Sequence, residues 1–223
     1  VSRHPALERC IGHRFRNAAL LDQALTHRSY GSPHNERLEF LGDGVLDCVV
    51  AEELYERFAS LSEGELSRLR ASLVREAALA AVARAIGLSE FLRLGEGEIA
   101  SGGAGRASIL ADALEAIYGA VFLDGGYQAA RTAVRHTFGD TLERLDESVP
   151  AKDAKTRLQE LLQARRQKLP EYRVVATKGA AHQQTFEVEC SASGLGVSAS
   201  GSGASRRIAE QHAAEALLKK LEA

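Results

Sequence analysis

The chain has 223 residues, 45% hydrophobic and 26% charged, an ordinary globular balance with length for one large or two modest cores. Aromatics are 5% with no Trp, which excludes an aromatic stacking platform, and no apolar run approaches the ~18–20 residues of a membrane span. The net charge of −2 hides a division: residues 150–223 carry 12 Lys+Arg against 8 Asp+Glu, while residues 1–149 carry 16 against 22. A basic part that can meet a polyanion thus follows an acidic part that can hold cations.

Residues 1–14 contain no apolar stretch, so no signal peptide is expected. Cys10, Cys48 and Cys190 are far apart and form no CxxC pair, which fits three small buried hydrophobes in a reducing compartment, the cytoplasm.

Taken in chain order, the first part reads as helical throughout. Short apolar periodicity covers residues 18–26, and a long run at residues 36–58 repeats Leu38, Leu41, Val45, Val49, Leu54 and Phe58. Residues 67–86 predict one more helix, stopped at Gly87. Residues 95–105 hold five Gly and predict a loop. Residues 107–123 are apolar almost all round, which predicts a buried central helix ended by Asp124-Gly125-Gly126, with another helix over residues 127–145. No strand alternation is seen in this part.

Residues 146–153 are polar with a Pro and predict a linker. Beyond it, residues 155–167 predict a helix with Leu158, Leu161 and Leu162 on one face. Three period-two runs follow: Tyr172, Val174, Ala176; Phe186, Val188, Cys190; and Leu195, Val197, Ala199. Ser205 predicts the N-cap of a last helix with Ile208, Ala209, Ala213, Ala216 and Leu217 inside. The expected fold is an all-α domain followed by a small α+β domain of order α-β-β-β-α.

The chemistry-bearing residues are acidic. At ~100° per residue, Glu36, Glu39 and Asp43 fall within an arc of about 60° beside the apolar face of their helix. Asp112 and Glu115, three apart, lie in a nearly apolar stretch where a charge needs a partner or a metal. If the two helices pack together, Glu39, Asp43, Asp112 and Glu115 form a cage of hard oxygen ligands suited to Mg²⁺ or Mn²⁺. The alternative for residues 36–43 is a solvated helix face with Arg37 as partner.

These residues resemble the ribonuclease III family. Asn35-Glu-Arg-Leu-Glu-Phe-Leu-Gly-Asp43 matches its signature, and Leu25-Thr-His-Arg-Ser29, the Ser101-Gly-Gly103 loop and Ile109-Leu-Ala-Asp-Ala-Leu-Glu115 match further blocks in order. The resemblance implies a catalytic and dimerisation domain at residues 1–146, a linker at 147–153 and a double-stranded-RNA-binding domain at 154–223. It implies a homodimeric endoribonuclease that cuts double-stranded RNA by attack of a metal-activated water. The implied products carry 5′-phosphate and 3′-hydroxyl ends with two-nucleotide 3′ overhangs, and the implied roles are in rRNA and mRNA processing. No membrane and no small-molecule substrate enter this expectation.

Residue by residue, the resemblance implies metal ligation by Glu39, Asp43, Asp112 and Glu115, with Asp43 and Glu115 catalytic and Glu36 supporting the site and touching RNA near the cut. Glu63 matches a secondary acidic position, and Phe40 an aromatic inserted into the partner subunit. Gly44 stands where the family has Ser or Ala, and it is expected to preserve close packing because it is small. In the C-terminal part, Thr156, Gln159 and Glu160 are expected to meet 2′-hydroxyls, His182 a neighbouring minor groove, and Ser205, Arg206 and Arg207 phosphates. Many such modules have Lys where this chain has Ile208, Gln211 and His212, which predicts weaker phosphate affinity. His27 is expected to be structural. Two other functions fit in principle: an inactive RNA-binding scaffold, against which the repelling acids argue, and a hydrolase of another phosphodiester.

Overall fold

In a computed structural model the chain divides into two units, Val1–Pro150 and Ala151–Ala223. The structure describes residues 3–143, 145, 153–178 and 184–222. The expected linker lies almost wholly outside the described residues; its last residue, Asp153, is the N-cap of the helix that follows.

The first unit is built on two long helices, α3 (Glu36–Arg57) and α7 (Ala107–Phe138). Around them lie α1 (Pro5–Ile11), α2 (Ala18–Ala24), α4 (Glu63–Val74), α5 (Glu76–Ala85), α6 (Glu96–Ala100) and α8 (Asp140–Glu143). The core between them is aliphatic: Leu46, Val49 and Val50 of α3 meet Leu110, Leu114, Ile117 and Val121 of α7, all fully buried. Asn17 caps α2 by accepting from the Ala19 amide, and Ser62 with Glu65 forms a capping box at α4.

Several boundaries differ from expectation, each for a local reason. The helix expected over residues 67–86 is two helices. The Ser62 box starts α4 four residues earlier, and Arg75 is extended (φ −63°, ψ 147°), so the chain bends before α5. No Gly or Pro marks that bend. The bend lets Leu69 and Leu73 of α4 and Leu79, Ala80 and Ala83 of α5 all reach the core. The expected loop at 95–105 contains α6 and a 3-10 turn at Gly103–Gly105. The expected break at Asp124-Gly125-Gly126 is present: Gly126 (φ 77°, ψ −174°) is non-helical, so α7 is two helical segments joined at a kink, and only the end of the second differs, at Phe138 before Gly139 rather than at residue 145. The buried Asp124 secures this break. It accepts from the amides of Arg16 (3.0 Å) and Asn17 (2.9 Å) and pairs with His13 Nε2 (2.9 Å). No strand forms among the described residues of this unit, as expected; Thr26 and Arg93 make one isolated parallel bridge.

The second unit has α9 (Ala154–Ala164), then β1 (Glu171–Lys178), β2 (Thr185–Ala192), β3 (Val197–Gly203) and α10 (Arg206–Glu222). The sheet is antiparallel in the order β1-β2-β3, with Tyr172 opposite Cys190 and Cys190 opposite Ala199. Val188, Cys190, Ala192 and Ala199 face Leu158 and Leu162 of α9 and Ala209, Ala213 and Leu217 of α10. A Cβ on Gly201 would strike the Ala213 amide, so that glycine permits the close seating of α10 on β3. Two expected core positions, Val174 and Ile208, are displaced, while Leu195 leaves the strand but still packs on the core. A bulge between Val174 and Ala176 leaves Val174 38% exposed, Leu195 sits in the 3-10 turn Ser193–Leu195, and Ile208 lies beside the buried stripe and is 44% exposed. Of the cysteines, Cys190 is buried, but Cys10 and Cys48 are exposed because their helices bury the neighbouring Leu7/Ile11 and Val45/Val49 faces instead. Among the described residues no helix is long and apolar enough to cross a membrane.

Candidate metal centre and nucleic-acid surface

The centre is made by a close crossing of α3 and α7. A Cβ on Gly42 would fall on the Glu115 carbonyl oxygen, and a Cβ on Gly119 would fall on that of Leu38. Glycine at both positions lets the two backbones touch. Glu39 lies one turn before Gly42, and Glu115 one turn before Gly119, so the crossing carries their carboxylates together. Gly44, expected to serve close packing, faces open space: a Cβ there would meet nothing within 4 Å, and the packing role belongs to Gly42.

Glu39, Asp112 and Glu115 each offer a carboxylate oxygen within 4.8 Å of the others, and all three are half-buried. Burial is the first cause of raised pKa values here. Glu115 is pushed from 4.5 to about 8, by desolvation and then by the charges of Asp43, Asp112 and Glu39. Glu39 is raised by desolvation, then by Asp112, Glu36 and Asp43. Asp112 is raised by desolvation and Glu76, against the opposing charges of His27 and Arg28. Asp43 lies outside the three-oxygen group and is exposed, yet its charge is the strongest of those acting on Glu115. The structure therefore brings three of the four expected ligands into one group and stands the fourth at its edge. An all-oxygen set of mutually repelling, partly desolvated carboxylates fits a hard divalent cation.

A polar cavity of ≈510 Å³ opens beside the group, with Glu39 and Asp112 in one wall and Glu36, Arg28, Glu98 and Arg106 around it. Glu36 is not one of the clustered acids. Its Oε1 accepts from Arg28 Nη1 at 3.1 Å, and its Oε2 lies 3.7 Å from His34 Nδ1. Arg28, rather than the neighbouring Arg37, is thus its partner. Arg106 is held by Glu98 at 2.6 Å and by Ser101 Oγ at 3.2 Å, which fastens the glycine-rich segment to the start of α7. His27 Nδ1 pairs with Ser29 Oγ at 2.8 Å. Sequence reasoning does not single out Arg28, Glu98 or Arg106 as site residues; the available signal is the place of Arg28 within the matched block at residues 25–29 and of Arg106 between those at 101–103 and 109–115.

Glu63 is not joined to this centre. It opens α4, accepts from Ser67 Oγ at 2.8 Å, and lines a separate, mainly apolar cavity of ≈740 Å³ with Cys48, Tyr55, Leu61 and Leu66. Phe40 projects from α3 and is 84% exposed.

In the second unit, Thr156, Gln159 and Glu160 lie on α9, and Arg206 and Arg207 are exposed at the start of α10. Thr156 Oγ1 bonds Asp153 Oδ2 at 3.1 Å, and Ser205 Oγ accepts from the Ile208 amide at 3.3 Å as an N-cap. His182 lies outside the described residues. Glu210, almost fully buried, joins the two helices: it receives Lys155 Nζ at 2.6 Å and Arg206 Nε at 2.8 Å. Gln211 and His212 of α10 serve the fold. Gln211 Oε1 accepts from the Lys155 amide at 3.3 Å, and His212 Nδ1 lies 2.6 Å from the Ser202 carbonyl.

Known proteins agree with this division. The ribonuclease-III-like family profile matches residues 17–142, and that of the double-stranded RNA binding motif matches residues 154–221. A Ribonuclease 3 of Ralstonia nicotianae is 58% identical over 96% of this chain and 84% of its own length. One of Aromatoleum aromaticum is 56% identical over 96% of each chain. The crystal structure of a ribonuclease III nuclease domain from Campylobacter jejuni superposes with a TM-score of 0.62 at 41% identity, covering 66% of this chain and 100% of that one. With a helical unit that gathers acids from two crossed helices and an α-β-β-β-α unit after it, the chain belongs to the ribonuclease III family.

Proposed function

We propose that the chain is a Mg²⁺-dependent endoribonuclease of double-stranded RNA that works as a homodimer in the cytoplasm, with Mn²⁺ able to replace Mg²⁺. The observation that carries this is the Glu39–Asp112–Glu115 group, in which Glu115 is raised to about 8 by burial and by neighbouring acids. A divalent cation bound there supplies the Lewis-acid charge that phosphodiester hydrolysis needs. Glu39, Asp112 and Glu115 hold it, Asp43 completes the set from the edge, and Glu36 supports the site from the cavity wall. Thr156, Gln159 and Glu160 address 2′-hydroxyls in the minor groove, His182 a neighbouring groove, and Ser205, Arg206 and Arg207 phosphates. This division of labour suits A-form RNA, whose bases are out of reach in a deep, narrow major groove.

Dimerisation through Phe40 is supported by its exposure and by the apolar cavity around Cys48 and Tyr55, which has the character of a receiving socket; Glu63 on that cavity's rim takes a secondary part. Two such centres, one per strand, account for 5′-phosphate and 3′-hydroxyl products with two-nucleotide 3′ overhangs. Roles in rRNA and mRNA processing follow from that activity.

Digestion of an end-labelled RNA hairpin, with a DNA hairpin of the same sequence beside it, tests the proposal. Cleavage of the RNA alone, in Mg²⁺ and not in EDTA, is expected. Undiminished cutting in EDTA, or equal cutting of DNA, would overturn it.

A further inference from the structure

The cavity beside the acidic group also carries a cation that the roles above leave unused. Arg28 comes from the turn between α2 and α3, and its side chain is 71% exposed at the cavity rim. Its bond to Glu36 uses one of the five N–H donors of the guanidinium. The other cationic walls are differently engaged: Arg106 closes on Glu98 and Ser101, and His27 on Ser29. A nucleic-acid strand entering here meets Glu36, Glu39 and Asp112 in the lining. A dication offsets those charges at one point. The phosphates on either side of that point, closely spaced along a duplex, still face acids and need a cation of their own.

We propose that Arg28 grips a backbone phosphate of the duplex next to the one being cut, with Glu36 holding its guanidinium at the rim. This rests on the double-stranded-RNA reading above. Glu36 fixes the head group from one side, so little side-chain freedom is lost when the remaining donors engage phosphate. The pairing also gives Glu36 a defined task apart from the clustered acids: it aims the arginine.

The test is binding of the full-length protein to a labelled RNA hairpin in EDTA, where no cutting occurs, over a range of KCl. Arg28→Ala should weaken binding about tenfold and lower the slope of log K against log salt by about one. Arg28→Lys, which keeps the charge and loses the fork, should keep the slope and recover part of the affinity. In Mg²⁺, KM should rise more than kcat falls. Wild-type affinity and slope in a folded Arg28→Ala protein would overturn the proposal. So would an equal loss of slope in Arg28→Lys, which would confine Arg28 to steadying Glu36. Failure of the wild-type protein to bind or cut the hairpin would instead sink the parent reading.

Discussion

Gly42 lies directly against the carbonyl oxygen of Glu115, with no room for a methyl group between them. Gly42→Ala must therefore push α3 away from α7. The expected loss of stability is at or above the ~3 kcal/mol top of the usual overpacking range. Gly44→Ala is the matched control. Gly44 is helical, and its Cβ direction is open, so alanine should add about 1 kcal/mol. Urea melts of the two variants should move in opposite directions. Cleavage should survive only in Gly44→Ala.

Glu115 links the centre to pH. In the cation-free protein its pKa is about 8, against 4.5 for the unperturbed side chain. Between those values the folded state holds a proton that the unfolded chain has released, so stability falls as pH rises through the window. The raised values of Glu39 and Asp112 act in the same direction. Melting in EDTA from about pH 5.5 to about pH 8.5 should show a decline that is flatter in Glu115→Gln. Mg²⁺ should offset the decline in the wild type, because cation and proton compete for the same oxygens. Glu115→Gln should also bind hairpin RNA while losing cleavage in Mg²⁺. A Gln variant that cuts at the wild-type rate would remove Glu115 from the site.

The basic second unit bears on salt. A protein ending at Val149 keeps the acidic group and loses the exposed arginines of α10. It should cut hairpin RNA at low ionic strength and lose most activity near physiological salt, since phosphate contacts give binding its steep salt dependence. Equal activity of the two lengths at physiological salt would show that the second unit does not anchor substrate.

Phe40 is 84% exposed, so its removal should leave the fold of one protomer unchanged. If the proposed two-fold dimer inserts this ring into its partner, the ring is buried twice, worth about 3–6 kcal/mol per dimer, or at least about a hundredfold in dissociation constant. Sizing of Phe40→Ala at micromolar concentration should show monomer where the wild type shows dimer.

Much of this is legible in the chain. Spacing alone places Glu36, Glu39 and Asp43 on one stripe, and an apolar setting marks Asp112 and Glu115 as acids needing a partner. The α-β-β-β-α order follows from a change of period near residue 154. What stays hidden has physical causes. Periodicity runs on through Arg75, where one extended residue bends the chain without a Gly or Pro to announce it. Gly42 and Gly44 look alike in sequence, and only the position of α7 tells them apart. Arg28 and Glu36 are eight residues apart across a turn, beyond the reach of helical pairing rules. Residue type puts Cys48 inside, but the face of α3 decides, and that face is turned outward.

Glu210 fastens Lys155 of α9 to Arg206 of α10 from a buried position. The first turns of both helices are consequently set at a fixed span, like the jaws of a locked caliper. On the double-stranded-RNA reading proposed above, a duplex would meet the two turns as one coupled surface rather than as two independent helices.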